Sequence, residues 1–439
     1  MAGLVLVPET SAPRVSLRTF WDELSTEGRW LLSTTAIQTL GRGMVLPFTI
    51  VYLTEVRHVA LDVAGTLMGL IAVVALVVTG PAGSITDRIG PRKVVIASTL
   101  AALVAPLIMG FGTTVPVFVL AIAVMGFGWG IAWSAWNALI ASVVQGPARQ
   151  RFFGVNFALV NLGIGVGGVI SGLFVDVHRP WTFTAIFVMD ALCMVVPLYL
   201  LARPLRHAGG PATVPEEHAS EASYRALLKT PAVLWLAGLT MLTTFVGYGQ
   251  MESGFPAFAR QFSEVSTRTL GLAFAANTAV IVALQFAVLQ RIDGRRRTRI
   301  LIAMSAVWVV AWLVLAWSGL VPGTGSAAVA VIAFMAVFGF GETMMQATIP
   351  ALVNDLADDH TRGRANSVNS GAFQVGAILG PVMAGAVLHA GHWRMFIAVL
   401  VVGCVIVAAS ALGIERIITP AVNGRAHEGD EIPHVPDHA

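Results

Sequence analysis

The chain has 439 residues, of which 56% are hydrophobic and only 12% are charged. A soluble protein of this length, normally two or three domains, cannot cover so much apolar surface with so few charges. The net charge of +3 also excludes the broad basic surface that a nucleic-acid partner requires.

Residues 1–29 carry no continuous hydrophobic region and no small-residue cleavage site, so no removable signal is expected. Leu17, Phe20, Trp21 and Leu24 share one helical face, which predicts a short interfacial helix in this N-terminal segment. Apolar runs long enough to cross a bilayer follow near 30–54, 64–86, 93–112, 115–143, 152–175 and 181–201, within a first bundle over 30–202. Residues 203–230, with Gly209-Gly210-Pro211 and Glu216-Glu217, read as a polar linker. A second bundle over 231–414 has spans near 231–255, 270–290, 299–319, 327–353, 366–388 and 393–414, and a polar tail occupies 415–439. The predicted fold is an all-α integral membrane protein, twelve transmembrane helices in two six-helix bundles.

Lys and Arg number 21 on the side that holds both termini and the linker, and five on the other: Arg57, Arg179, Arg260, Arg268 and Arg394. That excess predicts cytoplasmic termini and a cytoplasmic linker. With 25 arginines against two lysines, the chain reads as the product of a GC-rich bacterial genome, which places it in the plasma membrane. Cys193 and Cys404 fall inside spans and read as small apolar residues, with no disulfide framework or metal cluster.

A constant offset relates the halves. Gly126-Phe127-Gly128 matches Gly339-Phe340-Gly341, Val155-Asn156 matches Val368-Asn369, and Gly163, Gly167 and Gly172 match Gly376, Gly380 and Gly385. A gap-free register across spans 4–5 and 10–11 indicates an internal duplication, and Pro47 and Pro256 sit late in spans 1 and 7. Two parallel six-helix repeats are an architecture used by transporters.

The second span runs into Gly83-Ser84-Ile85-Thr86-Asp87-Arg88-Ile89-Gly90-Pro91-Arg92-Lys93, and a degenerate copy, Gln290-Arg291-Ile292-Asp293-Gly294-Arg295-Arg296, follows span 8. The first copy resembles the loop 2–3 signature of the major facilitator superfamily. The resemblance implies the major facilitator fold, two pseudo-symmetric bundles, with Gly83, Asp87, Arg88, Gly90, Arg92 and Lys93 as a cytoplasmic gate near the start of helix 11. Gly163, Gly167 and Gly172 in helix 5 are similar to the glycine motif of proton-driven exporters, with Gly168 where a proline is expected; Gly376, Gly380, Pro381 and Gly385 in helix 11 retain it. Close helix packing accounts for both sets. A second departure from the exporters is apolar Ile122 and Val124 in helix 4, where an arginine is expected.

Charges inside a span need partners or a wet cavity. Arg42, Asp190, Glu252 and Glu342 are such residues. In the superfamily helices 1, 4, 7 and 10 line the cavity, which by resemblance places Arg42, Glu252 and Glu342 on the path and Asp190 less directly. All three acids are candidates for proton coupling, with Arg42 either gating a proton or pairing with an acid to hold the halves together. Trp129, Trp133 and Trp136 share one face of span 4 beside Asn137, and the register sets Trp129 against Glu342 and Trp133 against Gln346. With Tyr248 and Gln250, these residues predict an aromatic cavity for a lipophilic, cationic or amphiphilic compound, although a tryptophan stripe also serves plain helix packing.

No phosphate-binding loop, metal-ligand cluster or nucleophile motif is present, so neither an enzyme nor an ATP-driven pump is expected. The leading expectation is a monomeric exporter of a hydrophobic small molecule, driven by a proton gradient and using no cofactor. The alternatives are an importer of an organic acid or sugar, with Arg42 on a substrate carboxylate, and a membrane sensor.

Overall fold

The computed structural model describes residues 21–22, 24–144, 147–208, 230–292, 294–356 and 362–424. Twelve helices among these are long and apolar enough to cross a membrane. The first six are α1 (Thr26–Val56), α2 (Leu61–Ile89), α3 (Pro91–Phe111), α4 (Val115–Val143), α5 (Pro147–Phe174) and α6 (Pro180–Ala202). The second six are α7 (Pro231–Met251), α8 (Thr267–Ile292), α9 (Arg297–Ser318), α10 (Gly325–Leu356), α11 (Arg362–His389) and α12 (Trp393–Glu415). Most of the predicted interfacial helix, linker residues 209–229, Asp293 and the tail from residue 425 lie outside the described residues. Of the four apolar residues expected on one interfacial face, Trp21 is exposed under Arg29 and Leu24 is buried in a hydrophobic cluster.

The α2–α3 connection is tighter than a loop. The motif residues from Gly83 to Ile89 complete α2, Gly90 turns the chain at φ +88°, and Pro91 starts α3. Glycine tolerates that left-handed φ, and proline at the first helical position lacks only an N–H that would have no partner.

Two spans predicted as continuous are broken. Near Pro47, which has no N–H to donate, α1 opens at Leu46–Phe48 and ends in a π-helical turn over Tyr52–Val56. Helix α7 breaks at Gly247 and again at Glu252–Ser253, then resumes as a short helix, Gly254–Gln261. Gln250 lies at that break, fully buried, and its Nε2 donates to the Phe245 carbonyl at 2.8 Å. Interrupted backbone at membrane depth needs such local donors.

The duplication is visible in the packing. In the first half α1 packs on α5 and α6, and α4 on α2 and α3; in the second, α7 packs on α11 and α12, and α10 on α8 and α9. One hydrogen bond recurs: Thr35 Oγ1 donates to Asn156 Oδ1 at 2.7 Å, and Thr240 Oγ1 to Asn369 Oδ1 at 2.6 Å. The register glycines mark the close approaches. A Cβ on Gly163 would strike Thr39, and one on Gly376 would stand 2.7 Å from the Cβ of Thr244. Gly167 and Gly380 meet α1 and α7 backbone in the same way. Between the halves, Gly172 lies on Gly271 of α8, and Gly385 on Gly65 of α2. Gly167→Leu is therefore expected to cut the yield of folded protein in detergent, because overpacking against backbone costs about 1–3 kcal/mol or more.

The halves meet at one end and part at the other. Gly69 of α2 and Gly165 of α5 are tight against α11 and α8, yet Gly80 and Gly154, three turns away on the same helical faces, have open space beside them. Gly371 of α11 shows the same contrast with Val382, which touches Gly69. The open end carries the α2–α3 and α8–α9 turns and is the basic end. There the first half has its own apolar cluster, including Leu31, Ile140 and Phe152, while a single larger core joins the halves at the opposite end.

Candidate functional site

Between the halves, the breaks in α1 and α7 bring charged and aromatic side chains together. Arg42 reaches across from α1, and its Nη2 donates to Glu252 Oε1 of α7 at 2.7 Å. Its guanidinium also lies over the Trp129 ring of α4, 3.7 Å from the centroid. Each side chain of the ion pair is about one-quarter exposed, and Trp129 is 40% exposed, so this group opens onto the space between the halves.

A second cluster sits in the other half. Tyr248 donates its hydroxyl proton to Glu342 Oε1 at 2.6 Å, and Asn277 Nδ2 of α8 donates to Glu342 Oε2 at 3.3 Å. Gln346 Nε2, one turn along α10, donates to the Tyr248 oxygen at 2.5 Å. The Phe373 ring of α11 lies 6.0 Å from that of Tyr248 and is partly exposed. The hydrogen-bond partners of Glu342 are neutral, and no cation pairs with it among the described residues.

Trp308 of α9 sets this second geometry. It is fully buried and donates its indole N–H to the Phe338 carbonyl at 3.1 Å. A Cβ on Gly247 or on Gly341 would lie 2.5 Å from its ring atoms. Those glycines immediately precede Tyr248 and Glu342, so one large side chain wedged between α7 and α10 spaces the hydrogen-bonded pair. Trp308→Ala is expected to cost about 3–5 kcal/mol, measured as a lower unfolding temperature of the purified protein.

The structure gathers Arg42, Trp129 and Glu252 into one cluster and Tyr248, Glu342 and Gln346 into another, and divides the remaining expected residues. Gln250 is occupied with the α7 break and lines no open space. Trp136 packs against the apolar cluster at the basic end, and Asn137 is partly buried; the Trp133 side chain lies outside the described residues. Asp190 is buried between α6 and α1, away from the cavity. Asn277 and Trp308 were not legible as site residues: one polar residue in span 8 and one tryptophan in span 9 carry no pattern of their own.

The motif residues take separate parts. Gly83 faces open space, Arg88 and Lys93 are exposed, and the Asp87 side chain lies outside the described residues. Arg92 donates to the carbonyls of Leu201 at 2.7 Å and Ala202 at 3.1 Å, and so caps α6 within its own half. The degenerate copy and Arg297 just after it do comparable work by ion pairs, Arg296 to Glu415 at 2.5 Å and Arg297 to Asp355 at 2.6 Å.

Twelve spans, a duplicated half and a charged cleft between the repeats describe a transporter. A family model described as Major Facilitator Superfamily matches residues 31–331 and 264–431. This chain belongs to the Major Facilitator Superfamily. Among curated proteins, it is 22% identical over 365 residues to the MFS-type transporter YdeE of Escherichia coli (strain K12), covering 82% of this chain and 88% of that one. It is 23% identical over 348 residues to the quinolone resistance protein NorA of Staphylococcus aureus (strain MRSA252), covering 79% and 86%. It is also 23% identical over 360 residues to the class H tetracycline resistance protein of Pasteurella multocida, covering 80% and 86%. Solved structures share the fold. A POT family transporter in complex with 5-aminolevulinic acid aligns with a TM-score of 0.75 at 12% identity, covering 90% of this chain and 96% of that one. The nucleoside transporter NupG aligns at 0.73 with 14% identity, covering 89% and 100%. The chain is thus a multi-pass membrane transporter for a small molecule.

Proposed function

We propose that this transporter exports a hydrophobic, cationic small molecule from the cell in exchange for protons. The observation that carries the reading is the asymmetry of the two cavity acids. Glu252 is already neutralised by Arg42, whereas Glu342 is held by Tyr248 and Asn277 alone, beside aromatic Phe373. An anion without a countercharge, set among aromatic rings, suits an organic cation. Likeness to proteins named for quinolone and tetracycline resistance supports export of drug-like compounds.

The energy source is the proton gradient. With the arginine-rich end and both termini on the cytoplasmic side of the plasma membrane, the described conformation is open to the cytoplasm and closed outward. The importer reading, with Arg42 binding a substrate carboxylate, is less favoured because Glu252 already occupies that guanidinium.

The test uses everted membrane vesicles, an imposed pH gradient and ethidium as the probe. Glu342→Gln keeps the shape and loses the charge, and is expected to lower gradient-driven ethidium uptake about tenfold or more, the effect of losing one charge-assisted contact of about 1.5–3 kcal/mol. Undiminished uptake removes Glu342 from the site, and uptake of a nutrient by intact cells in place of ethidium extrusion reverses the direction.

A further inference from the structure

Asp190 lies on the face of α6 that packs against α1, is 5% exposed, and has no hydrogen bond to its Oδ1. An ionised carboxylate in that position gives up its hydration and receives no donor in return, which is strongly unfavourable. The helices touch here because residue 41 is glycine: a Cβ on it would stand 2.7 Å from Asp190 Oδ1 and 2.8 Å from the Cβ of Cys193. The next residue of α1 is Arg42. It is the charged residue next to that contact; α3, the other helix packed on α6, has no charged residue from Val94 to Phe111, and the α6 neighbour on this turn is Cys193. In the described conformation Arg42 nevertheless extends the other way, to Glu252 and Trp129.

The Gly41–Arg42 backbone of α1 therefore lies between two carboxyl groups, one in the cavity and across the halves, the other buried within its own half. We propose that Arg42 alternates between Glu252 and Asp190, and that Asp190 is the acid that carries the transported proton. With Arg42 on Glu252, Asp190 is a neutral carboxylic acid and needs no cation. A substrate cation anchored at Glu342 that also takes Glu252 displaces Arg42, which turns back to Asp190. The O–H bond of Asp190 then breaks, the electron pair stays on the carboxylate, and the proton passes to water admitted along the space that the Arg42 side chain crosses, and from there to the cleft. After outward opening and substrate release, Arg42 returns to Glu252, and Asp190 takes a proton from water on that side. Substrate on and proton off become one event, and a monovalent cation exchanges for one proton without net charge movement. Glu342 anchors substrate and carries no proton in this scheme.

The function of this exchange rests on the antiport reading above, but the exchange itself is readable without substrate. The experiment records the infrared carbonyl band of protonated carboxylic acids in the purified full-length protein at neutral pH. Wild type is expected to contain a band that Asp190→Asn lacks. Glu252→Gln frees Arg42 for Asp190 and is expected to lose the same band, while Glu342→Gln keeps it. Identical spectra of wild type and Asp190→Asn, or persistence of the band in Glu252→Gln, would overturn the proposal. A second measurement adds ethidium to weakly buffered protein and follows proton release with a pH dye. Wild type is expected to release about one proton per bound ethidium; Asp190→Asn, which leaves the displaced Arg42 without a carboxylate, is expected to bind about tenfold more weakly and, at saturating ethidium, to release none. Equal release from Asp190→Asn removes Asp190 as the carrier; absence of release from wild type, with the infrared bands as stated, removes the antiport reading and leaves the charge exchange standing.

Discussion

Arg42→Ala is expected to abolish ethidium export and to weaken the union of the halves. The substitution leaves the Glu252 carboxylate partly buried with no cation, and withdraws the guanidinium from the Trp129 face. Breaking a fully buried pair costs about 3–5 kcal/mol, and quarter exposure of this one lowers the figure to about 2 kcal/mol. A change of that size is a factor of roughly thirty in an equilibrium constant. Arg42→Lys retains the charge but lacks the planar surface that stacks on an indole, so an intermediate loss is expected. Glu252→Gln in the Arg42→Ala background removes the orphaned charge. Recovery of thermal stability without recovery of transport in the double variant is the expected result, and additive losses in a double-mutant cycle would show that the two side chains act separately.

Opening the outer closure should have the second large effect. Glu55, in the π-helical turn of α1, accepts two hydrogen bonds from Arg260, at 2.9 Å from Nε and 2.5 Å from Nη2. Arg260 lies in the Gly254–Gln261 helix beyond the α7 break and also donates to the Val265 carbonyl. The pair thus ties the first half to the second at the end where α2 meets α11 and α5 meets α8. Charge-assisted hydrogen bonds contribute about 1.5–3 kcal/mol, so Glu55→Gln is expected to move the balance between the two conformations about thirtyfold toward outward opening. Spin labels on Val63 of α2 and Arg268 of α8, both exposed at that end, provide the measurement. A longer distance population in the variant is the expected outcome, and an unchanged distribution assigns the closure to the glycine contacts alone.

The close helix contacts explain why so much of the architecture was legible before any coordinates. Gly163, Gly172, Gly376 and Gly385 stand at places where a Cβ would strike a neighbouring helix, so their spacing in the chain is the spacing of the contacts themselves. The Thr35–Asn156 and Thr240–Asn369 bonds keep the same register in three dimensions. The two helix breaks were less legible, because Pro47 marks a bend without saying how the chain resumes, and Gly247 is one glycine among many until Trp308 is set against it.

The spans, the duplication, the side of the membrane expected for the basic loops, and the short list of charges that needed partners can all be read along the chain. Those features follow from local composition and period: apolar length matches bilayer thickness, and a repeated helix must repeat its small residues. Which charge meets which follows from how the helices dock. Arg42 joined Glu252 and left both Glu342 and Asp190 without a cation, although all three acids were candidates in the sequence. Helical period reports the face on which a side chain lies, whereas an ion pair between α1 and α7 depends on where two bundles dock. That docking, tight at one end through glycine backbones and open at the other, is a property of the assembled fold.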